Sequence, residues 1–144
     1  MKAAIYLRIA SALTLIHSIL HTVGGVFGKA DPGAATVAWN AMKDNPFLLM
    51  GHVRTYADFY RGLGLGVTIS LTVEGIVFWF LGSLASSAGT RLRPILWTFL
   101  LGYLVFSVNS YEYFFFGPVI AEILIATCFA AAIFTLKPAP VATA

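Results

Sequence analysis

Long apolar runs separated by short polar stretches set the first expectation for this chain. Apolar residues dominate four segments, at about 4–27, 57–86, 94–110 and 113–136, and none of them alternates with the period of two that a half-buried strand requires. A hydrocarbon core roughly 30 Å thick takes ~20 mostly apolar helical residues, and each segment has the reach to cross it. An open sheet would leave its backbone groups unsatisfied in lipid. The pattern therefore predicts an all-α polytopic membrane protein, a bundle of four transmembrane helices that forms one domain over residues 1–137. The Pro- and Ala-rich tail 138–144 is expected to be disordered.

The polar stretches refine this picture. Between the first two spans, "KADPGAATVAWNAMKDNPFLLMGHVRT" carries turn signals at Asp31-Pro32-Gly33 and Asn45-Pro46, which flank a short helical stretch around Ala34 to Lys43. Trp39 and Met42 suit either an interfacial helix that caps the bundle or an ordinary ordered loop. Arg91 and Arg93 sit between spans two and three, whereas the turn between spans three and four has Glu112 and no cation. Cationic loops stay inside, so both termini are expected in the cytoplasm. The start "MKAAIYLRIASALTLIHSIL" has the basic beginning of a signal peptide. Its apolar run, however, outlasts the usual h-region and is interrupted by histidine, so it is expected to remain as helix one.

Composition agrees with this class: 59% of the 144 residues are hydrophobic, 10% are charged, and the mean hydropathy is +0.86. The net charge of +3 is scattered, with no basic run that would track phosphates, so no nucleic-acid partner is expected. The lone Cys128 excludes an intramolecular disulfide and any CxxC motif.

Candidate chemistry lies in the polar residues that interrupt the spans. In "RIASALTLIHSILHTVGG" the positions Ala10, Thr14, His17, His21, Gly24 and Gly28 fall along one seam, and small and polar residues in a stripe mark the face that meets other helices. Helix two has a ladder spaced by four, Gly62, Gly66, Ser70 and Glu74, which ends on a carboxylate within an apolar run. Helix four adds Glu122. Intramembrane carboxylates are costly and normally face a partner or a cavity. Counted at ~1.5 Å per residue, His17, Glu74 and Glu122 all come within a turn or two of the midplane. One polar chamber is the expectation, with His17, Glu74 and Glu122 as candidate catalytic groups and His21, Tyr103, Asn109 and Tyr111 around a bound molecule. The alternative is that these groups satisfy one another and fix helix pairing. Arg54, Asp58 and Arg61 share one helical face at the outer end, as a structural network or as the first contact for an anionic group.

An imidazole and a carboxylate in a low-dielectric pocket can pass a proton to and from an apolar substrate, as an isomerase or cyclase would require. His17 and His21 alone, without HExxH or ExxH, do not make a metal motif, and neither metal nor other cofactor is expected. The expected partners are the lipid bilayer, a small apolar or lipid-like ligand, and a second copy or larger membrane complex. A non-catalytic accessory subunit and an oligomeric proton-coupled transporter are the competing readings.

The stretches "LRIASALTLIHSILHTVGG", "AMKDNPFLLMGHVRTYADFYRGLG" and "YFFFGP" together resemble a family of small, uncharacterised bacterial four-helix integral membrane proteins, over nearly the whole chain. That resemblance implies the fold and a location in the bacterial inner membrane, but no activity. In chemistry rather than motif order, the chain is also similar to the sterol isomerase and sigma-2 receptor group, which place His and acidic residues in a helical bundle.

Overall fold

The computed structural model describes residues 2–139. Five α-helices follow one another: α1 (Lys2–Leu20), α2 (Ala34–Asp44), α3 (Tyr56–Ala88), α4 (Arg93–Tyr113) and α5 (Phe116–Thr135). Three helical stretches are long and apolar enough to cross a membrane: Lys2–Val26, Tyr56–Tyr113 and Phe116–Thr135. The middle one comprises α3 and α4 joined by a tight turn at Gly89–Leu92. Gly89 has φ 53 and its backbone lies against Lys137 and Pro138, so a side chain there would meet both strain and collision. The amide of Thr90 donates to the Lys137 carbonyl at 3.0 Å, which ties this turn to the start of the tail. Residues 140–144, most of the expected disordered segment, lie outside the described residues.

By contacts the chain divides into two compact units, Met1–His17 with Leu71–Ala144, and Ser18–Ser70. In the first, four helical segments pack around an aromatic and aliphatic core. The Phe78 ring meets Phe99 edge-on at 4.8 Å and Phe129 at 4.7 Å, which joins α3, α4 and α5. Leu7, Leu96 and Ile125 are fully buried beside them. The α1 segment packs on α3 through glycines. A Cβ on Gly75 would run into the Leu15 side chain, and one on Gly82 would crowd the Ala4 carbonyl and Arg8.

These contacts revise the expected packing face of helix two. Gly62 and Gly66 have open space where a Cβ would go, and Ser70 is exposed, so the first three positions of the ladder spaced by four are not where α3 is approached. Steps of four drift ~40° per step around a helix with 3.6 residues per turn, whereas alternate steps of three and four stay on one side. Within the first unit Leu71, Gly75, Phe78, Gly82 and Ala85 follow that alternation, and all but the half-buried Leu71 are buried.

The second unit starts where α1 changes pitch. His21–Val26 forms a π-helical turn, in which the Phe27 amide reaches back five residues to the Thr22 carbonyl at 3.0 Å. Gly25 lets the His21 ring lie close against the backbone, and a Cβ on Gly28 would strike the Gly24 carbonyl. The helix α2 forms where the turn signals placed it; Asn45 donates from Nδ2 to the Ala41 carbonyl at its end and Pro46 follows.

The sequence held out no strand, yet Phe47–Leu49 and His52–Arg54 pair as a short antiparallel hairpin. Leu49 opposes His52, and the two residues between them, Met50 and Gly51, have φ 49 and φ 81. Two consecutive positive φ values are the geometry of the tightest hairpin turns, for which glycine at the second position is suited. At three residues per strand, the alternation is too short to read from the sequence. Phe47 packs at a tilt on Tyr56 at 4.9 Å and stacks on Phe59 at 5.9 Å, which holds the hairpin to the first turn of α3.

Candidate functional site

The buried face of α4 organises the polar groups of the first unit. Leu96, Leu100, Tyr103, Ser107 and Ser110 recur at steps of four and three, one stripe whose C-terminal half is polar. Tyr103 is 2% exposed, and its hydroxyl donates to Glu74 Oε2 at 2.7 Å. Thr14 of α1 places Oγ1 3.5 Å from the same hydroxyl while donating to the Ala10 carbonyl at 2.9 Å. Tyr103 thus stands between α1 and α3, and it holds a carboxylate that is itself only half-buried.

Two turns further along α4, ~10 Å by helical rise, Ser110 donates to Glu122 Oε1 of α5 at 2.9 Å. Glu122 is 6% exposed, and its second oxygen, Oε2, is buried without a hydrogen-bond partner among the described residues. A buried carboxylate with one oxygen unmatched is costly. Both expected carboxylates are therefore in the first unit, and each is held by a hydroxyl from the same face of α4.

The other expected site residues are distributed differently. His17 is half-buried on α1. Asn109 and Tyr111 are exposed, off the α4 stripe, and Tyr111 meets Phe116 edge-on at 6.3 Å. His21 belongs to the second unit, where its Nε2 lies 3.1 Å from the Gly64 carbonyl. In that unit Asp58 caps α3: its Oδ2 accepts from the Thr55 amide at 2.8 Å and the Thr55 hydroxyl at 3.0 Å, and Thr55 Oγ1 accepts from the Asp58 amide at 3.1 Å. Arg54 donates to the Val53 carbonyl at 2.7 Å, and the Arg61 guanidinium lies 5.3 Å from the centre of the Trp39 ring. Among the described residues no three His, Cys, Asp or Glu side chains gather as a metal site.

Ser11, Ser18, Thr22, Thr68 and Ser110 were not among the expected site residues. Ser11 donates to the Gly75 carbonyl at 2.6 Å, and in the second unit Ser18 donates to the Thr68 carbonyl at 3.1 Å. Thr22 and Thr68 bring their hydroxyls to 2.9 Å. The signal for Ser11, Ser18 and Thr22 was their steps of seven and four along helix one, a stripe beside the histidine seam.

Fold and site together define an all-α bundle with helices of membrane-crossing length and polar groups turned inward. Comparison of the chain with protein-family models, with curated proteins and with solved structures finds no match in any of the three.

Proposed function

We propose that this chain is a four-span integral membrane protein that binds a small apolar or lipid-like molecule at the Glu74–Tyr103 pair. The distribution of side chains supports the location. Ile69, Val105, Phe106, Ile120 and Phe134 are more than half exposed on helix exteriors, while Ser11, Thr14, Ser107, Ser110 and Glu122 are buried. Large apolar residues outside and small polar residues inside suit lipid as the solvent. In this reading α3 and α4 are separate spans, α2 lies at the interface beside its Trp39, and both termini face the cytoplasm of a bacterial cell.

One observation carries the binding reading: Tyr103 fixes one oxygen of Glu74 from inside, while Glu74 is still partly open to the bundle exterior. A carboxylate oriented in this way presents an acceptor at membrane depth to the hydroxyl or amine of a molecule that arrives sideways through the lipid. Proton transfer between such a ligand and Glu74, with His17 and Glu122 as further titratable groups, is the catalytic extension of the same reading.

The competing reading, a non-catalytic subunit whose polar groups fix helix pairing, is favoured by the bond from Ser11 to the Gly75 carbonyl, which needs no ligand. Native mass spectrometry of the whole protein released from detergent separates the two, run beside Glu74→Gln and His17→Ala variants matched by circular dichroism. A discrete organic adduct on the wild type that Glu74→Gln loses supports binding. A bare wild type after incubation with total lipid extract, with variants that dissociate or unfold, supports the pairing role.

A further inference from the structure

A second candidate site lies in the Ser18–Ser70 unit, apart from both carboxylates. A cavity of about 300 Å³ is lined by Val26, Gly28, Lys29, Thr36, Trp39 and Arg61, among others. Its volume is at the lower end of the range for small-molecule sites. Two of the lining side chains are cationic and none is acidic. We propose that this cavity binds a phosphate group, with Lys29 and Arg61 as its ligands.

Three features support an anion here. Arg61 is held over the Trp39 ring, so its planar donor array is pre-oriented. Asp58, one turn before Arg61 on α3, is close enough for the two charges to attract, but its Oδ2 takes its hydrogen bonds from the Thr55 amide and hydroxyl in the helix cap. Thr36 belongs to the first turn of α2, and its hydroxyl donates to the Asp31 carbonyl at 2.8 Å; the N-cap Gly33 supplies no side-chain cap, and the amide end of a helix favours negative charge. Gly28, which cannot carry a Cβ without striking the Gly24 carbonyl, leads the chain from the π-turn directly to Lys29.

Phosphate chemistry has two sources, an anionic lipid headgroup and a free phosphate in solution. The cavity begins at Val26, the last residue of an apolar stretch of membrane-crossing length, and Trp39 contributes the aromatic ring that favours headgroup depth.

The test uses the full chain, in a phosphate-free sugar detergent for one arm and in nanodiscs of mixed phosphatidylglycerol and phosphatidylcholine for the other. In the first, the phosphorus resonance of inorganic phosphate is followed on titration with protein. In the second, the lipid retained on release into the mass spectrometer is identified. The wild type is expected to broaden the phosphate signal, to retain phosphatidylglycerol over phosphatidylcholine, or both. Lys29→Gln and Arg61→Gln are each expected to weaken the effect about tenfold. Retention of phosphatidylglycerol without phosphate binding identifies the headgroup as the source, and the reverse identifies a soluble phosphate. Absence of both effects in the wild type overturns the proposal. So does undiminished binding by Lys29→Gln, which changes an exposed loop residue and leaves the Arg61–Trp39 contact in place.

Discussion

Tyr103 and Glu74 meet through a 2.7 Å hydrogen bond in which the tyrosine is buried and the carboxylate is half-buried. The pair links α4 to α3, and a lost partner leaves the buried hydroxyl or the half-buried carboxylate without this hydrogen bond. Tyr103→Phe is expected to lower stability by about 1–3 kcal/mol, read as a fall in the thermal unfolding midpoint in detergent. Glu74→Gln keeps a carbonyl acceptor for the tyrosine hydroxyl and is expected to cost less than half as much. Equal losses in the two variants would mean that the bond is not the linkage.

Ser110 and Glu122 are expected to respond asymmetrically. Ser110→Ala removes the donor from Oε1 and leaves a buried carboxylate with no partner at either oxygen, which should destabilise the bundle by about 1–3 kcal/mol. Replacement of both residues, Ser110→Ala with Glu122→Met, removes the unmatched polar groups together and should be close to neutral or stabilising. Thermal melts of the single and double variants give the coupling directly. A double variant less stable than Ser110→Ala alone would show that Glu122 is bound by something other than Ser110.

Glycine substitutions should separate the face of α3 that is approached from the face that is not. Gly66→Ala adds a methyl group to open space within a helix, and it is expected to raise stability by about 0.5–1 kcal/mol. Gly75→Ala drives the new Cβ into Leu15, whose Cγ would lie 2.7 Å away, and should cost about 1–3 kcal/mol. Denaturant-induced unfolding of the two variants in the same detergent is the measurement. Similar behaviour at both positions would contradict the α1–α3 contact.

The cap at the start of α3 yields a local prediction. Thr55→Ala removes both the hydroxyl that donates to Asp58 and the acceptor for the Asp58 amide, and should cost about 1 kcal/mol of helix stability. Amide hydrogen exchange should show faster exchange confined to the first turn of α3 and the adjoining hairpin. An unchanged exchange pattern would mean that the cap contributes nothing measurable.

The helices and their composition were legible from the chain. Apolar runs of span length and the Asp31-Pro32-Gly33 and Asn45-Pro46 punctuation around α2 follow from hydropathy and turn chemistry that act over a few residues, and the burial of Glu122 agrees with the cost of a carboxylate on the outside of an apolar run. The hairpin escaped notice because three-residue strands carry too little alternation, and its only marker was Gly51. Arg54, Asp58 and Arg61 have the spacing of a charge ladder, and both arginines act on the Asp58 charge, but spacing does not show the closer partners: the carboxylate bonds Thr55 and the Arg61 guanidinium lies against the Trp39 ring.

The sequence by itself determined that the chain is helical and apolar enough for membrane-crossing stretches, because hydrophobicity and helical reach are properties of consecutive residues. It also singled out Glu74 and Glu122, since a carboxylate in an apolar run is conspicuous wherever the run folds. Only the tertiary structure decided that Tyr103 holds the first and Ser110 the second, and that Gly75 rather than Gly66 admits α1. Those pairings depend on which side of each helix turns to which neighbour, and that choice is made by close packing between segments far apart in the chain.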